Sequence, residues 1–271
     1  MDIARQRLAF LVVAALTVGA GCNRTLTPEQ ARTRGDELLR EMSKTVSAAQ
    51  TFSYTATEEG AIANAAGKRK EQKVSRDVII RRPDAFKAHA KGDERDLEVW
   101  YDGKQVTLVG HKQKVWARGP MPATLDEAID YLSAEYAIQL PTADLVYSNP
   151  YDALMTADTT GGWVDRQQIG NRTCDHLAYQ QQVVDWELWI NEETKLPCQM
   201  QITYKTEPGQ PKTILVYTNW NSSPQLAADT FTPKVPEGYE RLKMMRHATV
   251  IDENAEAAAT AGSAPSPKTG K

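Results

Sequence analysis

The stretch NRTCDHLAYQQQVVDWELWINEETKLPCQMQITY, Asn171 to Tyr204, decides the fold. Val184, Trp186, Leu188 and Ile190 share one parity with Asp185 and Glu187 between them, and Leu196, Cys198, Met200, Ile202 and Tyr204 repeat the pattern around Gln199, Gln201 and Thr203. An apolar period of two marks strands with one greasy face. The short link at Gln180 to Gln182 and the polar turn Asn191-Glu192-Glu193-Thr194 make a three-strand antiparallel meander the natural reading. A curved sheet with an apolar inner wall follows. That wall is filled either by the protein's own helices or by a ligand from outside.

The rest of the chain supplies more strands and a few helices. Thr27-Pro28-Glu29-Gln30 has the order of a capping box with proline in the first turn. Ala31, Leu38, Leu39, Met42, Val46 and Ala49 then follow at helical spacing, a narrow stripe suited to docking on a sheet. From Phe52 the period changes to two. Phe52, Tyr54 and Ala56 make a strand, Gly60 to Gly67 reads as a small-residue loop, and Lys70 to Arg81 as a long, largely polar strand. Phe86 to Lys91, Asp96 to Tyr101, Gln105 to Val109 and Lys114 to Ala117 continue the series, with Asp102-Gly103 as a hairpin turn. Consecutive hairpins without intervening helices exclude a doubly wound parallel sheet.

Between Pro120 and Asp158 the pattern turns helical. Thr124 caps a helix carrying Leu125, Ile129, Leu132 and Tyr136, and short helical turns begin at Pro141 and Pro150. Inside a β chain such an insertion most simply covers the open face of the sheet. Strands resume near Trp163 and end with Thr213 to Trp220 and a short piece from Ala227 to Thr232. Beyond Asp252 the composition of Ala, Gly, Ser, Pro and Lys predicts a disordered tail over 251–271.

The N-terminus is an export signal. Arg5 and Arg7 precede an apolar run from Leu8 to Val18, and Gly19-Ala20-Gly21 stands directly before Cys22. The run is too short for a spanning helix, which needs about 20 residues. Removing residues 1–21 takes Arg5, Arg7 and Asp2 from the 32 basic and 35 acidic residues, leaving a net charge of −4. No basic patch recommends a nucleic-acid partner. The exported body, roughly 230 residues, suits one large β domain.

Cys174 and Cys198 are left as a pair. In a flat meander a third strand separates them, so about two spacings of 4.8 Å divide them, beyond the usual reach of a disulfide. Strand parity also turns Cys174 outward and Cys198 inward. The expectation is that they stay apart unless the strand ends curl together.

No catalytic set is expected. Asp175 and His176 are adjacent in one strand, so their side chains diverge, and no Gly-flanked serine forms a nucleophile elbow. His89, His111, His176 and His247 are scattered without metal-ligand spacing, so neither a metal nor a cofactor is expected. Trp189 and Trp100 fall on the outer parity. They would form either an interaction patch or further packing beneath the N-terminal helix.

Two resemblances give these readings a setting. The small residues before Cys22 resemble the lipobox of bacterial lipoproteins, which implies acylation of Cys22 with chains such as palmitate. Asn23 behind it resembles the sorting position of outer-membrane lipoproteins. The segments RRPDAFKAH (Arg81 to His89), VWYDGKQVTL (Val99 to Leu108), ATLDEAIDYLSAEYAIQLPTADLVYSNPY (Ala123 to Tyr151), CDHLAYQQQVVDWELWI (Cys174 to Ile190) and FTPKVPEG (Phe231 to Gly238) resemble a family of bacterial periplasmic proteins, domain of unknown function 2092. That family in turn resembles the lipoprotein carriers LolA and LolB and the envelope sensor RseB.

The resemblance implies a mainly β, α+β fold: a half-open antiparallel β-barrel over residues 27–250, following a short tether at 22–26, with helices covering or plugging an apolar cavity. On this reading Val99, Tyr101, Leu108, Trp186, Leu188, Met200 and Ile202 form the cavity wall, and Leu125, Ile129, Leu132 and Tyr136 a movable lid. The implied partners are a lipid or a lipidated protein, and a membrane through the acyl anchor. The alternative is a non-enzymatic scaffold or sensor that binds another envelope protein through its outer surface.

Overall fold

The computed structural model describes residues 26–63, 68–136, 138 and 143–246. The expected export signal and tail, with Cys22, Asn23, Pro141 and His247, lie outside the described residues. Twelve strands form one sheet: β1 (Thr51–Ala63), β2 (Arg69–Arg81), β3 (Ala85–Gly92), β4 (Asp96–Tyr101), β5 (Gln105–Gly110), β6 (Val115–Pro120), β7 (Thr160–Ile169), β8 (Arg172–Gln180), β9 (Val184–Asn191), β10 (Pro197–Tyr204), β11 (Lys212–Asn221) and β12 (Glu240–Leu242). Helices α1 (Pro28–Ala48), α2 (Leu125–Tyr136) and α3 (Pro150–Leu154), with a 3-10 turn at Ala143–Leu145, complete the described secondary structure.

The strand order is β12-β6-β5-β4-β3-β2-β1-β11-β10-β9-β8-β7. Two meanders, β1 to β6 and β7 to β11, are therefore joined where the first strand of one pairs with the last strand of the other. The pairs are antiparallel except β12 with β6, which is parallel. The sheet ends at β12 and β7 without closing. This is the half-open barrel that the family resemblance implied.

The meander at Asn171 to Tyr204 folds as β8, β9 and β10, and Asp96–Tyr101 is reproduced residue for residue. After it, the Asp102 carboxylate accepts from the backbone N–H groups of Lys104 (3.0 Å) and Gln105 (2.8 Å), while Gly103 takes φ 83°. Those two features make the tight turn that Asp-Gly favours. The loop expected at Gly60 to Gly67 is shorter than it reads. β1 runs to Ala63, with Gly60 and Ala61 paired to Gln72 and Glu71 of β2, because ladder bonds outweigh the weak strand preference of small residues. Ala227 to Thr232 forms turns rather than a strand.

Register places the greasy residues in rows. Tyr54, Val78, Ala88, Val99 and Leu108 lie opposite one another from β1 to β5. Leu215, Met200, Leu188, Leu177 and Trp163 do the same from β11 to β7. Both rows belong to one core, completed by Leu38, Leu39, Met42 and Val46 of α1 and by Leu125, Ile129 and Leu132 of α2. Helix α1 begins with the expected box: Thr27 N–H donates to Gln30 Oε1 (2.9 Å) and Gln30 N–H to Thr27 Oγ1 (3.3 Å). It crosses β7 where Gly35 meets Gly162. A Cβ on Gly35 would sit 2.7 Å from Gly162 Cα, and one on Gly162 would sit 2.5 Å from the Ala31 carbonyl oxygen. Only glycine permits this backbone approach.

Cys174 and Cys198 are bonded, with Cα atoms 6.9 Å apart. The flat-sheet geometry misses this because β10 carries a bulge. Pro197 pairs with Ile190 and Gln199 with Trp189, leaving Cys198 as the extra residue. A bulge breaks the alternation and bends the strand, so Cys198 joins Cys174 and Trp189 in a small cluster separate from the main core.

Candidate functional site: a covered cavity in the half-barrel

Inward-facing side chains of β2 to β5 enclose a cavity of about 100 Å³ beneath α2 and the 3-10 turn. Its wall is Val78, Ile80, Phe86, Val99 and Leu108, and its cover includes Ile129, Ile138, Ala143 and Val146. Arg76 and Arg95 are also in the lining. β2 alternates Val74, Arg76, Val78 and Ile80 into the interior. The strand that reads as largely polar therefore supplies much of the wall, and its period of two was the available signal.

Arg76 is 5% exposed and pairs with Glu58, itself 6% exposed. Burial pushes the guanidinium below its ordinary value, and Glu58 pulls the other way. On the cover, burial pushes the Asp144 carboxyl upward. Tyr101 donates from its hydroxyl to the Pro122 carbonyl (2.6 Å), and its pKa is raised to about 12, burial being the first cause.

All seven wall residues and four lid residues named from the sequence lie in or against the one core. Val99, Leu108 and Ile129 line the cavity directly. Tyr101 stands against Phe86, with ring centroids 5.8 Å apart. Trp186 stacks on Tyr179 at 4.3 Å. Trp186, Leu188, Met200 and Ile202 are on the β9–β10 side and do not line it. Leu125 and Leu132 are buried on α2, and half-buried Tyr136 meets Tyr131 edge-on.

Polar contacts hold the cover. Tyr147 hydroxyl donates to Asp130 (2.6 Å), Ser148 N–H and hydroxyl donate to Asp126 (2.9 and 2.5 Å), and Arg82 donates to the Val146 carbonyl (2.7 Å). From the C-terminal side, Arg246 donates to Tyr131 (2.8 Å) and pairs with Glu135 at 3.3 Å. These contacts sit at the periphery of the apolar cover, most of them exposed.

A second concavity lies between the first turns of α1 and the edge strand β7. It is wide and open, lined by Glu29, Thr33, Arg34, Trp163, Arg166 and Asp175 among others. Asp175, 1% exposed, accepts from Trp163 Nε1 (2.9 Å) and Arg166 Nε (3.1 Å) and faces Arg34 at 3.8 Å. The carboxylate thus ties β7 and α1 together.

The outer aromatics do not form an exposed patch. Trp189 is 5% exposed, stacked on His176 at 4.3 Å with planes 2° apart, and its Nε1 donates to Gln167 (3.0 Å). Trp100 is 1% exposed. Nor does Trp189 pack beneath α1: it belongs to the small cluster around the disulfide. Parity gives the face correctly but is blind to neighbours that cover it.

The Asp175 and His176 side chains diverge, as strand alternation requires. His176 lies between Asp165 (3.1 Å) and Glu187 (2.8 Å), while Asp175 is engaged with Trp163 and Arg166. Among the described residues no nucleophile, base and orienting group converge. The histidines are less scattered than their spacing suggests: His89 and His111 come together with Glu98.

An open, almost wholly antiparallel sheet whose concavity is roofed by helices is a half-open barrel. The family model described as "Predicted periplasmic protein (DUF2092)" matches residues 35–245, and the chain belongs to that family. No curated protein matches it in sequence. Among solved structures, an uncharacterized conserved protein from Thermus thermophilus is similar at 11% identity, over 76% of this chain and 97% of that one, with a TM-score of 0.46. A LolA superfamily protein from Nitrosomonas europaea aligns at 12% identity over 74% and 98%, TM-score 0.35. The structure of the Pseudomonas aeruginosa MucA/MucB complex aligns at 16% identity over 74% and 61%, TM-score 0.42. At such values they carry no inference about ligand or partner.

Proposed function

We propose that this chain is a lipid-anchored periplasmic binding protein, acylated at Cys22, that takes an acyl chain of a lipid or lipidated protein between the β2–β5 wall and α2. The supporting observation is the apolar cavity at that place. Its volume, about 100 Å³, is below the roughly 150 Å³ that holds a benzene molecule, so an acyl chain enters only as the cover moves aside. Lifting α2 exposes Leu125, Ile129 and Leu132, buried to within 1, 6 and 1%, at about 1.5–3 kcal/mol each. An acyl chain returns about 0.8 kcal/mol for every methylene it buries. About six to eleven methylenes therefore offset the opening. A cover balanced in this way closes when the site is empty and yields to a long chain. An outer-surface protein contact through Trp100 and Trp189 is not favoured, since both are covered.

Titration with a fluorescent long-chain fatty acid tests the reading. The wild-type chain should bind it, and Leu108→Trp, which fills the cavity from its half-buried wall, should lose binding with its circular dichroism unchanged. Equal binding by folded Leu108→Trp, or no binding by the wild type, would refute the assignment.

A further inference from the structure

We propose that the outer face of β3, β4 and β5 holds a divalent transition-metal ion of the zinc class, bound by His89, Glu98 and His111 with Asp96 beside them. The site is independent of the cavity, which lies on the opposite face of the same strands.

The pairing register assembles it. His89 of β3 lies opposite Glu98 of β4. The His111 N–H donates to the Asp96 carbonyl (2.9 Å), extending the β4–β5 ladder one residue beyond Gly110 and Leu97. Asp96 and Glu98 are two apart, so all four side chains stand on one side of the pleat. A sequence spacing of 22 residues between the histidines conceals this, because hairpins bring distant positions side by side.

Donor atoms of His89, Glu98 and His111 all lie within 4.8 Å of one another. His89 Nδ1 is 3.5 Å from Glu98 Oε1, and His111 Nε2 is 3.3 Å from Glu98 Oε2. Bonds of about 2.0–2.1 Å in a tetrahedral zinc site put donors about 3.3 Å apart, and each imidazole nitrogen already stands near that distance from one oxygen of the Glu98 carboxylate, His89 from Oε1 and His111 from Oε2. Two imidazoles and one carboxylate form a donor set that zinc accepts, and water supplies the fourth position.

The remaining ring nitrogens are oriented in the way metal-bound histidines require. His89 Nε2 is hydrogen-bonded to Asp96 Oδ1 (2.7 Å), and His111 Nδ1 to the Tyr239 hydroxyl (3.1 Å). The three side chains are 21, 16 and 24% exposed, open to an arriving ion yet held in place. Lys87 Nζ, 3.7 Å from Glu98 Oε1, is the competing cation. It also lies over the Trp100 ring at 5.2 Å, a contact it can keep when an ion takes the carboxylate. Tyr239 follows the segment 222–238 and precedes β12, so a bound ion would pin that segment to the sheet through His111.

The test uses the full chain, purified without an affinity tag, stripped with chelator and titrated with Zn²⁺ by calorimetry. One ion per chain should bind with a Kd of about 10 μM or tighter, and the melting temperature should rise with Zn²⁺ and fall back with EDTA. His89→Gln, Glu98→Gln and His111→Gln should each weaken binding by about 100-fold or more, and Tyr239→Phe by about tenfold. His247→Gln should bind as the wild type does. Should a ligand variant fail to fold, the wild-type Co²⁺ complex decides: intense visible absorption reports a tetrahedral site, and its absence overturns the proposal. Failure of the wild type to bind Zn²⁺, or retention of full affinity in the three ligand variants, would show only a hydrogen-bonded cluster.

Discussion

Reducing the Cys174–Cys198 bridge removes a cross-link without removing a side chain, so its effect on stability can be worked from chain length. The cysteines are 24 residues apart. Closing a loop of that size lowers the entropy of the unfolded chain by an amount equivalent to about 3.5 kcal/mol at 25 °C. For a domain of this size each kcal/mol moves the melting temperature by about 2–4 °C, so the reduced protein should melt about 7–14 °C below the oxidised one. Both sulfurs are fully buried beside Trp189, so reduction requires unfolding in reductant followed by refolding under it. The assay is paired thermal melts followed by circular dichroism, with the redox state checked by mass after alkylation. Alkylation of both cysteines in unreduced, denatured protein would show that the bridge is absent. A mass that confirms the bridge, with melts within about a degree of each other, would refute the entropic reasoning.

Arg76→Met should destabilise by about 3–5 kcal/mol, because it leaves the buried Glu58 charge without its partner. The double variant Arg76→Met/Glu58→Gln should recover most of that loss in urea titrations, and failure to recover would remove the pairing as the cause. Gly162→Val should detach α1 or cost more than about 2 kcal/mol, since its Cβ would lie 2.5 Å from the Ala31 carbonyl; native-state hydrogen exchange of α1 reads this directly. Burial raises the pKa of Tyr101 to about 12 and lifts that of Tyr217 well above its ordinary value. The folded state therefore holds these protons more tightly than the unfolded state, whose tyrosines ionise near 10. Stability present below pH 10 should decline as pH rises from there toward 12. Melts that do not change over that interval would contradict the assigned burial.

Much of this architecture could be read from period alone. Alternation over Val184 to Ile190, the Asp102-Gly103 turn and the Thr27–Gln30 box are local signals, and the structure reproduces each. What escaped were consequences of non-local pairing. The union of β1 with β11 follows no local pattern, and neither does the parallel docking of β12 on β6. The bulge at Cys198 shifts one residue and reverses the expected facing of a cysteine. Arg76 sits at an inward position that its charge argues against, and only the pairing with Glu58 makes this tolerable. The histidine cluster depends on register between strands, which spacing along the chain does not carry.

The proposed role of the half-barrel as a receptor for acyl chains is tested most directly by mass spectrometry of organic extracts from the full chain, purified in mild detergent. A non-covalently held acyl lipid should copurify in near-stoichiometric amount and fall away in Leu108→Trp. An extract holding only detergent, from folded protein that also fails to take up added fatty acid, would contradict the account.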